Sequence, residues 1–147
     1  MTDTPVDILL VEDNPNDVEL TIHALKSFCP INRIQVARDG VEALEYTFCT
    51  GKYMHRSPTI QPRMILLDLK LPRVDGIQVL KRVKSDPRTQ GIPVIVLTSS
   101  SDEGDVEESY RLGANSYIIK PVDFAEFTHA ARILGAYWLE LNRSIGM

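Results

Sequence analysis

Along the chain, short runs of branched apolar residues alternate with longer stretches whose apolar positions recur every three to four residues. DILLV (7–11) predicts a strand, and Val18, Ile22 and Leu25 then fall at i, i+4 and i+7 of a helix that Asn16 or Asp17 can cap. Residues 33–37 predict a weaker strand with Ile34 and Val36 on one face, followed by a helix carrying Val41, Leu44 and Phe48. MILLD (64–68) is the third strand, and Asp75 caps a helix with Ile77, Leu80 and Val83 inward. IPVIVLT (92–98) is the fourth; Ser101 or Asp102 caps the next helix, which bears Val106 and Tyr110 and ends near Gly113. SYIIK (116–120) is the fifth, and from Asp123 a last helix sets Phe127, Ala131, Leu134 and Trp138 on one stripe.

Five strands alternating with five helices predict right-handed crossovers and a parallel sheet covered on both faces, an α/β doubly wound fold. In that architecture ligands sit beyond the carboxyl ends of the strands. Residues 49–63 (CTGKYMHRSPTIQPR) form a long connection before the third strand, either a surface decoration or a partner contact. At 147 residues, 44% of them hydrophobic and 24% charged, the chain suits one compact domain with a full-sized core. Its net charge of -4 argues against a broad electrostatic nucleic-acid surface. The N-terminal MTDTPVD reads as neither signal peptide nor membrane span, which points to the cytoplasm. Cys29 and Cys49 lack metal-ligand spacing and read as free thiols.

MILLD poses the chemical question. A strand buried on both faces carries an ionised carboxylate at its end only if that group is paired or bound, because leaving it alone there costs several kcal/mol. The other strand ends offer partners: Glu12 and Asp13 after the first, Thr98 at the end of the fourth and Lys120 at the end of the fifth. Three carboxylates brought together raise one another's pKa unless a cation neutralises them, and Mg2+, a hard ion that keeps several waters, suits an all-oxygen site. An ammonium and a hydroxyl beside that cluster would bind the oxygens of a phosphoryl group arriving at Asp68, whose carboxylate can itself be the nucleophile. Singly, each of these residues has a plainer reading as an acidic cap, a strand-end hydroxyl or a solvated loop lysine. Together, at successive strand ends of one alternating fold, they point to phosphoryl chemistry.

VEDN (11–14), LLDLKLPRVDG (66–76), VLTSS (96–100) and YIIKP (117–121) resemble the receiver domain of two-component response regulators, and they cover nearly the whole chain. The resemblance implies a flavodoxin-like sheet in strand order 2-1-3-4-5. It also implies a single receiver domain over residues 1–147, with 136–147 extending the last helix and no output domain. Asp68 is then the phosphoacceptor. Asp13, Asp68 and the backbone carbonyl of Lys70 bind Mg2+, and Glu12 supports the ion through water. Thr98 and Lys120 grip the phosphoryl oxygens, and a cis peptide before Pro121 aims the lysine inward. Tyr117 matches an aromatic that swings inward when Thr98 moves; its plainer reading is a packing tyrosine. Pro72 and Gly76 match the loop after the phosphoacceptor, where glycine permits backbone conformations that larger residues resist. By the same resemblance, Lys70 and Ser100 occupy positions that vary in the family and influence how quickly the phosphoryl group is hydrolysed.

ILGAYWLELNRS is similar to the tail of the small single-domain regulators paired with cyanobacterial phytochrome histidine kinases. That similarity implies a light-controlled histidine kinase as donor and a homodimer in which the C-terminal part takes part. Large aromatics serve as interface anchors, so Tyr137 and Trp138 suit a dimer; alternatively they pack the final turn against their own domain. Output then runs through protein contacts, with no nucleic acid and no membrane, and the chain is a signalling switch, not an enzyme. Two other classes use related chemistry or the same scaffold. A hydrolase of the haloacid dehalogenase type needs a second carboxylate two residues after the nucleophile, where Lys70 stands. A flavodoxin-like cofactor-binding module needs hydroxyls and glycine after the first strand, where VEDNPND presents acids. His23, His55 and His129 receive no role.

Overall fold

Parallel strands buried on both faces form the centre of the molecule. The computed structural model describes residues 6–121 and 123–143. β1 (Ile8–Val11), β2 (Ile34–Ala37), β3 (Met64–Leu67), β4 (Val94–Thr98) and β5 (Ser116–Ile119) make one parallel sheet in the order β2-β1-β3-β4-β5, as the alternating pattern and the resemblance imply. Val11 pairs with both Ala37 and Leu67, Leu67 with Val96, and Thr98 with Ile119, so the carboxyl ends lie level along one rim.

Successive side chains point to opposite faces of the sheet. Leu9, Val11, Ile65, Leu67, Val94 and Val96 share one layer with Ala43 and Tyr46 of α2 (Gly40–Phe48) and with Val79, Leu80 and Val83 of α3 (Gly76–Ser85). Ile8, Leu10, Met64, Leu66 and Ile95 face the other layer, against Val18 and Leu25 of α1 (Pro15–Leu25) and Leu134 of α5 (Phe124–Gly135). α4 (Glu103–Arg111) covers the sheet less completely and buries only Ser109. Every residue of β1 and β3 is buried. Burial of each such leucine or isoleucine contributes about 1.5–3 kcal/mol, and that stability lets this strand pair carry acids at its ends.

Local details depart from the periodicity for identifiable reasons. α1 is capped by Asn14, whose side chain accepts from the N–H groups of Asn16 and Asp17 at 2.9 and 3.2 Å. Pro15 takes the first helical position, where its missing N–H needs no partner, and this moves the cap two residues ahead of Asn16. α2 turns Ala43, Tyr46 and Thr47 inward, while Phe48 sits under the guanidinium groups of Arg82 and Arg88, 5.2 and 5.4 Å from its ring. On α3, capped by Asp75, Val79 joins Leu80 and Val83 in the core and Ile77 is half-buried. On α4, capped by Asp102, Tyr110 is 50% exposed. After α5, capped by Asp123, the chain widens into a π-helix over Ala136–Leu141. The wider turn brings Leu139 into the core one residue later than α-helical spacing from Leu134 gives, and Trp138 packs half-buried beside it. Of the expected 136–147 extension, residues 144–147 lie outside the described residues.

The 49–63 connection is anchored from within. Buried Arg56 stacks its guanidinium 3.7 Å from the centre of the Tyr46 ring and donates to the carbonyl oxygens of Tyr46 and Ile60. Among the described residues no helix is long and apolar enough to cross a membrane. Cys29 and Cys49 are free thiols. Burial, followed by the negative charge of Asp7, pushes the Cys29 thiol up to about 11. At about pH 8 its thiolate fraction is negligible, and the thiolate is the form that reacts. Iodoacetamide is therefore expected to spare Cys29 in the folded protein and to alkylate it in urea. Peptide mapping that found equal alkylation in both would contradict this placement.

Candidate functional site

The level strand ends deliver Glu12, Asp68, Thr98 and Lys120 to one place. The Asp68 N–H donates to the Val11 carbonyl at 3.0 Å, extending the β1–β3 pairing by one residue, and the Lys120 N–H donates to the Thr98 carbonyl at 2.7 Å. Asp68 is only 6% exposed and Glu12 only 3%, so neither carboxylate is solvated as an ordinary surface acid.

The two carboxylate oxygens of Asp68 have separate partners. Oδ1 accepts from Thr98 Oγ1 at 2.8 Å and from the Lys70 N–H at 3.1 Å, while Oδ2 accepts from Lys120 Nζ at 3.1 Å. Lys120 Nζ also donates to Glu12 Oε1 at 2.5 Å and to Asp17 Oδ2 at 2.8 Å. An ammonium has three N–H donors, and all are used. The second oxygen of Glu12 accepts from the Asn14 N–H at 3.1 Å, which ties the pocket to the start of α1.

Asp13 is exposed, and one oxygen each from Glu12, Asp13 and Asp68 lie within 4.8 Å of one another. This all-oxygen set fits a hard divalent ion. The electrostatics agree with that fit. Burial is the main influence on Glu12 and pushes it up to about 7; the hydrogen bond and charge of Lys120 pull it back, and the charge of Asp68 pushes it up again. Burial also depresses Lys120, but its hydrogen bonds to Asp17 and Glu12 and the charges of Glu12 and Asp68 together outweigh that and hold it above its ordinary value. One lysine shared among three carboxylates thus stays charged without compensating the most buried of them. The pocket is short of positive charge.

Gly76 serves this site through space. A Cβ there would stand 2.3 Å from the Asp68 carbonyl oxygen and 2.5 Å from Leu69 Cα, so only glycine lets the start of α3 approach the loop that carries Asp68. The expectation of unusual glycine backbone angles is corrected: the left-handed residue of that loop is Arg73, at φ 69°. The cis peptide expected before Pro121 is also corrected. Among the described residues no peptide bond is cis, so Lys120–Pro121 is trans. From that backbone the lysine already reaches all three carboxylates, and the trans form before proline is favoured by about 0.5–1 kcal/mol.

Tyr117 is half-buried, and its hydroxyl donates to the Ser100 carbonyl at 2.9 Å, binding β5 to the loop that follows Thr98. The Lys70 ammonium lies 3.8 Å from Asp105 Oδ2, which also accepts from Ser100 Oγ at 2.5 Å. Position 70 therefore presents a cation held toward α4, where a dehalogenase-type hydrolase needs a carboxylate. Pro72 accepts from the Gly40 N–H at 3.4 Å and fastens the same loop to α2. Sequence reasoning missed Asp17 and Asp105 as site residues. The available signal was that each lies in the first turn of a helix directly following a strand-end acid or hydroxyl.

Known proteins are similar to this chain in sequence and fold. Residues 8–132 match the family described as the response regulator receiver domain. The chain is 40% identical over 142 residues to the probable methanogenesis regulatory protein FilR2 of Methanothrix harundinacea, covering 97% of this chain and 89% of that protein. It is 38% identical over 136 residues to the response regulator Rcp1 of Synechocystis sp., covering 92% and 90%. The crystal structure of the Mn(2+)-bound form of Rcp1 matches at TM-score 0.87 and 36% identity, over 95% of this chain and 99% of that one. The crystal structure of the phosphorylated cyanobacterial phytochrome response regulator RcpA matches at TM-score 0.89 and 38% identity, over 97% and 100%.

Proposed function

The chain belongs to the response regulator receiver domain family, and on that premise we propose a phosphorelay switch in which Asp68 accepts a phosphoryl group from a phytochrome-type histidine kinase. The observation that carries this reading is the division of the Asp68 carboxylate between a hydroxyl donor, Thr98, and an ammonium donor, Lys120. One donor stands at each carboxylate oxygen, so the pair flanks the place where the charge of an incoming phosphoryl group collects. An Asp68 oxygen forms the new bond to phosphorus as the phosphorus–nitrogen bond to the donor imidazole breaks, and the electron pair stays with that nitrogen. Thr98 and Lys120 then pass their hydrogen bonds from Asp68 to phosphoryl oxygens. Mg2+, held by Asp13, Asp68 and the Lys70 carbonyl with support from Glu12, supplies neutralising charge when bound.

The chain is a signalling switch rather than an enzyme. Movement of Thr98 is felt by Tyr117 through the Ser100 carbonyl, and the output is carried by protein contacts of this domain. A phytochrome-type donor is supported by the similarity to RcpA, which is a phytochrome response regulator. A second copy of the chain is a further proposed partner. Ile133, Tyr137 and Leu141 stand exposed at i, i+4 and i+8 along α5 and its π-helical continuation, an apolar stripe of the kind that dimers cover.

Phosphotransfer tests the proposal. In the presence of Mg2+, label from an autophosphorylated phytochrome kinase is expected to move into this chain in preference to label from unrelated histidine kinases, and EDTA is expected to stop it. Equal transfer from every kinase would remove the phytochrome pairing. No uptake from any kinase or from acetyl phosphate would remove the switch. A monomer's elution volume on a sizing column, before and after phosphorylation, would remove the dimer.

A further inference from the structure

Asp17 stands outside both the acidic triad and the groups that touch Asp68, yet it holds one of the three N–H groups of Lys120. We propose that Asp17 is a positioning residue for phosphoryl transfer: together with Glu12 it fixes the Lys120 ammonium, so that the bond to Asp68 is the one given up to the phosphoryl group. The proposal rests on Asp68 being the phosphoacceptor.

The distances rank the three bonds. Nζ lies 2.5 Å from Glu12 and 2.8 Å from Asp17, but 3.1 Å from Asp68. A lysine carries a compact charge on a flexible four-carbon stem and has no fixed fork to aim it, so its placement depends on anchors. Here the two short bonds lead to one rigid unit. Asn14 donates its backbone N–H to Glu12 Oε2 at 3.1 Å and accepts, through Oδ1, from the Asp17 N–H at 3.2 Å. The end of β1 and the first turn of α1 are thereby locked together, and both reach the ammonium from that side. The Lys120 side chain is 9% exposed and that of Asp17 26%, so the bond between them is charge-assisted and largely screened from water. The negative charge of Asp17 would by itself oppose an incoming phosphoryl group. Its contribution to transfer is therefore placement of the lysine, and a neutral acceptor of the same shape should supply it.

Acetyl phosphate with saturating Mg2+ isolates this step. An Asp68 oxygen bonds to phosphorus, the bond from phosphorus to the acetyl oxygen breaks, acetate leaves with the electron pair, and intact mass follows the adduct. Asp17→Ala is expected to phosphorylate about tenfold more slowly than wild type, within the hundredfold that misplacing a catalytic group by an ångström costs. Asp17→Asn, which keeps an acceptor oxygen for Lys120, is expected to recover most of the rate. In a Lys120→Met background, Asp17→Ala is expected to cause no further slowing. An acidic residue that merely stabilised the first turn of α1 would slow both backgrounds equally, and that result would overturn the proposal. So would a wild-type rate in Asp17→Ala. Thermal unfolding of each variant establishes that the rates compare folded proteins. Failure of the wild type itself to take up a phosphoryl group would sink the switch reading instead.

Discussion

Asp68→Asn is expected to abolish phosphorylation by kinase and by acetyl phosphate alike, with no mass increase at times when the wild type is fully modified. The amide has the shape of the carboxylate but neither its charge nor its nucleophilic oxygen pair. The fold is expected to survive. If the amide nitrogen takes the place of Oδ1, it faces the Lys70 N–H; if it takes the place of Oδ2, it faces the Lys120 ammonium. Either orientation leaves one donor against another, at a cost of about 1–3 kcal/mol. Removing one charge from a cluster of carboxylates within 4.8 Å of one another offsets part of that cost. A folded Asp68→Asn that still gained a phosphoryl group would move the acceptor to another residue, with Asp13 the first to test.

Legibility in the sequence followed the physics of each element. The central strands β1, β3 and β4 were legible because burial on both faces leaves near-continuous apolar runs, and a parallel register brings the carboxyl ends level whatever the loops do. That is why Glu12, Asp68, Thr98 and Lys120 could be placed together before any side-chain geometry was known. Asp17 was not legible, because the side a helical residue faces depends on where the helix starts, and Pro15 moved the start to an Asn14 cap. Gly76 was conspicuous for the right residue and the wrong reason: α3 approaches the Asp68 carbonyl so closely that an added Cβ would stand 2.3 Å from its oxygen, and such a contact leaves no trace in local spacing. Leu139 replaced Trp138 in the core because the turn widened to π, which a search at a period of 3.6 cannot anticipate. Tyr110 fell on an expected apolar face and points outward, because α4 covers the sheet with little more than Ser109.

Lys120→Met is expected to lower both transfer and stability, and the stability loss should depend on pH. For transfer, the variant loses the ammonium at Asp68 Oδ2 that is to receive a phosphoryl oxygen, a loss of about 10²–10³ in rate for one such donor. For stability, Glu12, Asp17 and Asp68 lose the cation they share, and breaking a buried pair from one side costs about 3–5 kcal/mol. The sign of the pH dependence follows from Glu12. Its folded value, about 7, already lies above the ordinary 4.5, and Lys120 is what pulls it down, so the substitution raises it further. A carboxyl group with a raised folded pKa takes up a proton more readily in the folded state than in the unfolded one. Its contribution is fully present below 4.5 and is lost as pH rises through the folded value. At about pH 5 Glu12 of the variant is protonated, the uncompensated charge is smaller, and Lys120→Met should unfold in urea close to the wild type. Near pH 8, above the wild-type Glu12 value of about 7, ionising Glu12 costs the variant more than the wild type, and the variant should fall further behind; added Mg2+ should recover part of the deficit by binding the folded state. Urea titrations in EDTA at both pH values decide the matter. An equal deficit at the two would mean that Lys120 stabilises the fold through its hydrocarbon stem, and its charge would then have to be explained by transfer alone.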